Sequence, residues 1–133
     1  HIQLGRRFRS LKLWFLIREQ GVSGLQARLR RDLENARWLE KAVAAEPGWE
    51  LCAPVPLQTV CCRHVPEGLD EEAVDAHNQA WVDRLNGSGF AYLTPTVAKG
   101  RRIVRVSIGS EATERRHVEE AWEAMKRAVA VRT

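Results

Sequence analysis

Histidine is the first residue type in this sequence that could do chemistry, because imidazole binds metal ions and exchanges protons near neutral pH. The four histidines are His1, His64, His77 and His117. Metal sites normally use close-spaced pairs such as HxH or HxxxH, and none of the four belongs to such a pair. The spacing therefore predicts no metal site, and we expect these side chains to face solvent or to cap helices.

Cysteine is the second such residue type. Cys52, Cys61 and Cys62 are odd in number, stand in apolar segments and lack CxxC spacing. A disulfide framework or a zinc site normally uses an even set at regular spacing, so we expect buried, reduced thiols. Reduced thiols are typical of cytoplasmic proteins, and the sequence therefore predicts a cytoplasmic location.

Motifs for a nucleophilic serine and for a phosphate-binding loop are missing. No serine lies in a G-x-S-x-G frame, and the glycines form neither G-x-G-x-x-G nor G-x-x-x-x-G-K-S/T. These patterns therefore predict no catalytic residue in the chain.

The opening of the chain places positive charge directly against an apolar run. Arg6, Arg7 and Arg9 precede the segment Leu11–Ile17, in which six of seven residues are apolar. A helix that is apolar on nearly every side must be buried on nearly every side, and this run is too short to span a bilayer. We therefore predict an interface helix over residues 1–20, with the arginines as ion-pair partners across a domain or subunit boundary.

The periodicity of apolar residues predicts three further helices. The first helix should end near Gln20-Gly21, because glycine adopts the left-handed conformation that closes helices. Ser23 can cap the second helix, which stops at Pro47-Gly48. A third helix is predicted from Asp70, its N-cap, to Asn86, and a fourth begins near Thr113.

Four segments read as strands, because they are short and rich in β-branched residues and cysteine. They are Trp49 to Ala53, Thr59 to Val65, Phe90 to Val97 and Arg102 to Ile108. The last two flank Lys99-Gly100, a hairpin-like connection. The order of elements predicts an α+β fold, namely a four-stranded antiparallel sheet with helices packed on one face, preceded by the apolar interface helix. The length of 133 residues, 44% of them hydrophobic, suits one globular domain.

The opening LGRRFRSLKLWF, from Leu4 to Phe15, carries a family resemblance. It resembles the start of the C-terminal domain of pyridoxal-phosphate-dependent group II amino-acid decarboxylases, the aromatic-L-amino-acid and histidine decarboxylase family. Further segments are similar in sequence to this family, namely Asn86 to Gly89, Tyr92 to Thr94, Val104 to Ile108 and Thr113 to Trp122. The resemblance thus runs nearly end to end, although the family's full chain is several times longer.

This resemblance implies a division of the chain and a function for the whole protein. Residues 1–20 would be an interface helix continuing from a missing large domain, and residues 21–133 the C-terminal small domain. The whole protein is expected to be a homodimeric carboxy-lyase that uses pyridoxal 5'-phosphate. Its expected substrate is a small amino acid of the aromatic L class, and neither nucleic acid nor membrane is expected as a partner.

The resemblance also implies that the cofactor's Schiff-base lysine lies upstream. The lysines of this chain are Lys12, Lys41, Lys99 and Lys126, and none stands in the family's His-Lys context. Only a primary amine can hold the cofactor's aldehyde, so this chain by itself is expected to be inactive.

Three residues of this chain are implied to lie at an active site. Leu4 and Gly5 would reach the neighbouring subunit's cofactor phosphate, and Gly5 would also border the substrate side chain, where glycine permits close approach. The family's histidine decarboxylases have serine in place of Gly5, so glycine favours an aromatic substrate. Arg105 stands in a family-typical strand and either faces the substrate or pairs with a nearby carboxylate.

A second class of function remains open from the arginine clusters and the net charge of +4. It is a basic α+β nucleic-acid-binding module with no enzymatic activity. Such a module needs aromatic side chains on its central strands for base stacking. Phe90 and Tyr92 could share one strand face, but Arg102 to Ile108 contains no aromatic residue.

Overall fold

The computed structural model describes residues 8–130. Within this range the chain forms α1 Arg9–Ala45, β1 Trp49–Leu51, β2 Thr59–His64, α2 Glu71–Gly87, β3 Thr94–Ala98, β4 Arg101–Ser107 and α3 Arg115–Ala130. The predicted order of helices and strands is confirmed.

Helix α1 consists of two helical segments that meet at Gly21. This residue has φ 66° and ψ 173°, a backbone conformation that residues with a Cβ rarely adopt. The predicted break at Gln20-Gly21 is therefore confirmed, although the second segment follows without an intervening loop. We refer to residues 9–20 as the first segment and to residues 22–45 as the second segment.

The four strands form one antiparallel sheet in the order β1-β2-β4-β3. Strands β3 and β4 are joined by the two-residue turn Lys99-Gly100, whose φ angles of 52° and 76° suit the tight turns of hairpins. Strand β3 starts at Thr94 and not at the predicted Phe90. The Asn86 side chain explains this, because it bonds both the N–H and the C=O of Leu93 and holds the preceding residues in a loop.

All helices that contact the sheet cover the same face, as predicted. The core between them contains Trp49, whose ring lies 5.5 Å from that of Trp81 and 4.8 Å from that of Trp122. On α2 the buried residues lie on the face toward the sheet, and they are Val74, Asn78, Trp81, Val82 and Leu85. In the second segment of α1, Leu39 and Val43 are buried, whereas Leu29 is 52% exposed.

The first segment of α1 exposes its apolar side chains. Leu13, Trp14 and Phe15 are each more than half exposed, and no other described part of the chain covers them. The helix exists as predicted, whereas its role as an interface stays a prediction. Among residues 8–130 no helix is long and apolar enough to cross a membrane.

Candidate functional site

One face of the sheet is left open by the helices, and it carries a row of polar side chains. Side chains alternate between the two faces of a strand, so the burial of Val104 and Val106 under the helices places Arg105 on the open face. Arg105 pairs in register with Cys61 on β2 and with Thr94 on β3.

The row extends to the edge of the sheet. The N–H of Cys52, the residue after β1, donates to the C=O of Cys61 at 2.8 Å. Cys52, Cys61, Arg105 and Thr94 therefore form one line across the sheet, which we call the open-face row. Arg105 is exposed, and its guanidinium bonds no carboxylate among the residues that the structure describes. The alternative pairing predicted for Arg105 is thus not seen within this range.

The other two predicted site residues cannot be located in this way. Leu4 and Gly5 lie outside the described residues, which begin at Phe8. Their contacts with a cofactor and with a neighbouring subunit stay predictions.

A second polar cluster borders the open-face row. Arg63 is only 2% exposed, and its Nε donates to Glu50 Oε2 at 3.0 Å. Its two terminal nitrogens donate to the carboxylate of Glu71 at 2.8 and 3.1 Å. These hydrogen bonds lower the pKa of Glu71 and raise that of Arg63, so this pair stays charged. The bonds from Arg63 to Glu50 and Glu71 tie β1, β2 and the start of α2 together.

A third cluster joins the end of β2 to α2. His64 Nδ1 and His77 Nε2 lie 2.8 Å apart, beside a cavity of about 900 Å³ that Arg84 also lines. Burial lowers the pKa of both imidazoles, so both are neutral at pH 7. The prediction that every histidine faces solvent or caps a helix is wrong for this pair. It is confirmed for His117, which accepts a hydrogen bond from the Glu114 N–H at the start of α3.

Asn78 of α2 supports this cluster by binding the backbone of His64. Its Oδ1 accepts from the His64 N–H and from Trp81 Nε1, both at 2.9 Å. Its Nδ2 donates to the carbonyls of His64 and Val74, both at 2.8 Å. A fully buried amide with four partners holds β2 and α2 in one register.

The described residues do not fit pyridoxal phosphate by themselves. The cofactor needs an amine that faces a pocket, but Lys12, Lys41 and Lys99 are exposed. Lys126 is held in an ion pair with Glu123 at 2.8 Å, which together with Glu46 raises its pKa. No set of three histidine, cysteine or acidic side chains between Phe8 and Ala130 is arranged to hold a metal ion.

Comparison with known proteins shows what the chain is similar to. Residues 1–65 match the pyridoxal-dependent decarboxylase conserved domain. Over 92% of its length the chain is 37% identical to tryptophan decarboxylase TDC1 of Camptotheca acuminata, and it covers 24% of that protein. The chain is therefore similar to pyridoxal-dependent decarboxylases and spans about a quarter of the length of these relatives. Over 92% of its length it is also 38% identical to the aromatic-L-amino-acid decarboxylase of Sus scrofa, of which it again covers 24%.

The fold of these decarboxylases agrees with that of the chain. The solved structure of the Oryza sativa TDC with PLP superposes on 98% of this chain, with a TM-score of 0.88 and 36% identity, and the match covers 28% of that protein. This confirms the predicted α+β fold. None of these matches supports the nucleic-acid alternative, and Phe90 and Tyr92, which it would need on a strand, lie in the loop before β3.

Proposed function

We propose that the chain is the C-terminal small domain of a pyridoxal-phosphate-dependent carboxy-lyase that acts on aromatic L-amino acids. The observation that carries this proposal is the superposition on the Oryza sativa TDC, with a TM-score of 0.88 over nearly the whole chain. The relatives compared above are named for tryptophan and aromatic-L-amino-acid decarboxylation. The lack of a suitable lysine among the described residues agrees with a cofactor held by the rest of the protein.

The first segment of α1 is proposed to dock on that remaining part and to contribute to a homodimer, in a cytoplasmic enzyme. Its support is the exposed apolar surface that includes Trp14 and Phe15, since contiguous patches of this kind mark interaction sites. Residues 1–20 would then be the connection from the large domain, and residues 21–133 the small domain.

Leu4 and Gly5 are proposed to border the cofactor phosphate and the substrate of the neighbouring subunit, and Arg105 to face the substrate end of an active site. The support for Arg105 is its exposed place in the open-face row. A guanidinium of this kind can bind a carboxylate through two parallel hydrogen bonds.

The experiment is performed on the longer protein that contains this chain. Amine release from tryptophan, tyrosine, dopa, histidine and glutamate is measured, and we expect the three aromatic substrates to give the highest kcat/KM. A preference for histidine or glutamate would refute the substrate class, and absence of decarboxylation on all five would refute the enzyme class.

Arg105 is tested in the same protein with a matched arginine. We expect Arg105→Gln to raise KM for the preferred amino acid. Arg101→Gln, an exposed arginine on the same face of the same strand, should leave KM unchanged. Equal kinetics for the two variants would remove Arg105 from the proposed site.

A further inference from the structure

Two free thiols stand directly opposite each other at the edge of the sheet. The β1–β2 register pairs Leu51 with Cys62, so the next pair along the strands is Cys52 with Cys61. The hydrogen bond of 2.8 Å from the Cys52 N–H to the Cys61 C=O shows that this pairing extends one residue beyond β1. Residues paired in this way project their side chains from the same face of a sheet.

The spacing of such a pair suits a covalent bridge. Opposed residues that share a backbone hydrogen bond in an antiparallel ladder have Cα atoms about 5.5 Å apart. Disulfides form across Cα separations of roughly 4.4 to 6.8 Å. Cys52 and Cys61 are both half-buried, so a small oxidant can reach them.

The third thiol is excluded from this arrangement by the pleat of the strand. Cys62 points to the helix side of the sheet, where it is fully buried in the core. Burial there raises its pKa strongly, which keeps it protonated and unreactive. The chain therefore contains one pair of opposed thiols, Cys52 and Cys61, and Cys62 serves as an internal control for its reactivity.

We propose that Cys52 and Cys61 are a redox-sensitive dithiol that hydrogen peroxide converts into a disulfide joining the end of β1 to β2. One thiolate attacks a peroxide oxygen and becomes a sulfenic acid, with loss of the first water molecule. The second thiol attacks that sulfur, forming the S–S bond and releasing the second water. Two thiols are thereby oxidised and one peroxide is reduced to two waters.

The bridge would form within the open-face row, next to Arg105, which is the register partner of Cys61. It would link the edge strand β1 covalently to β2, which is the neighbour of the strand that carries Arg105. Burial raises the pKa of Cys52 even though Arg63 acts in the opposite direction, so oxidation should become faster as the pH rises above neutral. The inference depends on strand register and does not rest on the proposed function.

The test treats the reduced 133-residue chain with hydrogen peroxide at mildly alkaline pH and counts thiols after unfolding. We expect the number of free thiols to fall from three to one, with loss of two hydrogens from the intact mass and recovery of all three thiols with dithiothreitol. Trypsin cannot separate the three cysteines, because no lysine or arginine lies between Cys52 and Cys62. Chymotrypsin separates Cys52 from Cys61 and Cys62 by cleavage after Leu57, and its digest should contain the two resulting peptides joined by a disulfide.

Single substitutions identify the two cysteines that form the disulfide. Cys62→Ala should still lose two thiols, whereas Cys52→Ser and Cys61→Ser should form no intramolecular disulfide. The proposal is overturned if the parent chain keeps three thiols, gains oxygen without losing hydrogen, forms disulfide-linked dimers, or bridges through Cys62. Even if a variant fails to fold, the parent chain decides among these outcomes, because fragmentation of the joined peptides between Cys61 and Cys62 in the mass spectrometer shows which of the two carries the bridge.

Discussion

His64 and His77 share a single hydrogen bond of 2.8 Å between the end of β2 and helix α2. Only one proton fits between the two nitrogens, so the pair accepts a second proton there only by separating. Burial is the main cause that lowers both pKa values. The neighbouring His77 adds to the effect on His64, and Arg84 adds to the effect on His77.

The first prediction is that the chain loses stability on mild acidification because of this pair. An unfolded histidine has a pKa of about 6.5, so below that pH the unfolded state binds more protons than the folded state. The free energy of unfolding should be level above about pH 7 and fall as the pH drops from about 6.5 toward the lowered folded pKa values. Urea unfolding followed by tryptophan fluorescence measures it.

The control for this prediction is His77→Gln, which removes one titrating ring and should flatten the pH dependence in that window. Glu71 and Glu114 also have lowered pKa values, but their effect belongs to more acidic conditions, below the ordinary carboxyl range. The prediction would be contradicted if the free energy of unfolding of the parent chain were the same at neutral pH and below about pH 6.5.

The second prediction concerns Asn78. Asn78→Ala leaves the His64 N–H and Trp81 Nε1 without their acceptor inside the core, so the free energy of unfolding should fall by about 3 kcal/mol. Glu72→Ala on the same helix, at an exposed position, should change it by less than about 0.5 kcal/mol. Equal effects of the two substitutions would show that the amide network contributes little.

The third prediction concerns the bend at Gly21. A Cβ there meets no atom within 4 Å, so Gly21→Ala acts through the backbone conformation alone. Because φ 66° with ψ 173° is nearly exclusive to glycine, we expect a loss of roughly 1–3 kcal/mol or a straightened α1. Gly87→Ala is the matched control, since its added Cβ also meets open space and its φ is not positive, and it should not destabilise the chain. Circular dichroism and urea unfolding distinguish the outcomes.

The fourth prediction applies to Gly5 in the longer protein. Gly5→Ser adds a hydroxyl at the proposed substrate wall and should lower kcat/KM for tryptophan, tyrosine and dopa more than for histidine. One small group usually changes discrimination by about 1–3 kcal/mol, so the shift should be graded. Steady-state rates on all four amino acids measure it. An unchanged ratio of aromatic to histidine turnover would mean that Gly5 does not border the substrate.

Several features of this fold were predictable because they depend on residues close together in the chain. The buried face of α2 follows from the four-, three- and four-residue steps through Val74, Asn78, Trp81 and Leu85, all of which are buried. Asp70 caps that helix as predicted, with Oδ1 accepting from the Ala73 N–H at 2.8 Å. The bend at Gly21 likewise follows from the conformational freedom of a single residue.

The sites depend on pairings between distant segments, which local patterns do not report. Periodicity shows which face of a strand is buried, but it does not show which strand lies beside it. For this reason the placement of Cys52 opposite Cys61, and of Arg105 beside them, became known only from the sheet order β1-β2-β4-β3. The contact between His64 and His77 is of the same kind, because the packing of α2 on β2 alone decides which imidazoles meet.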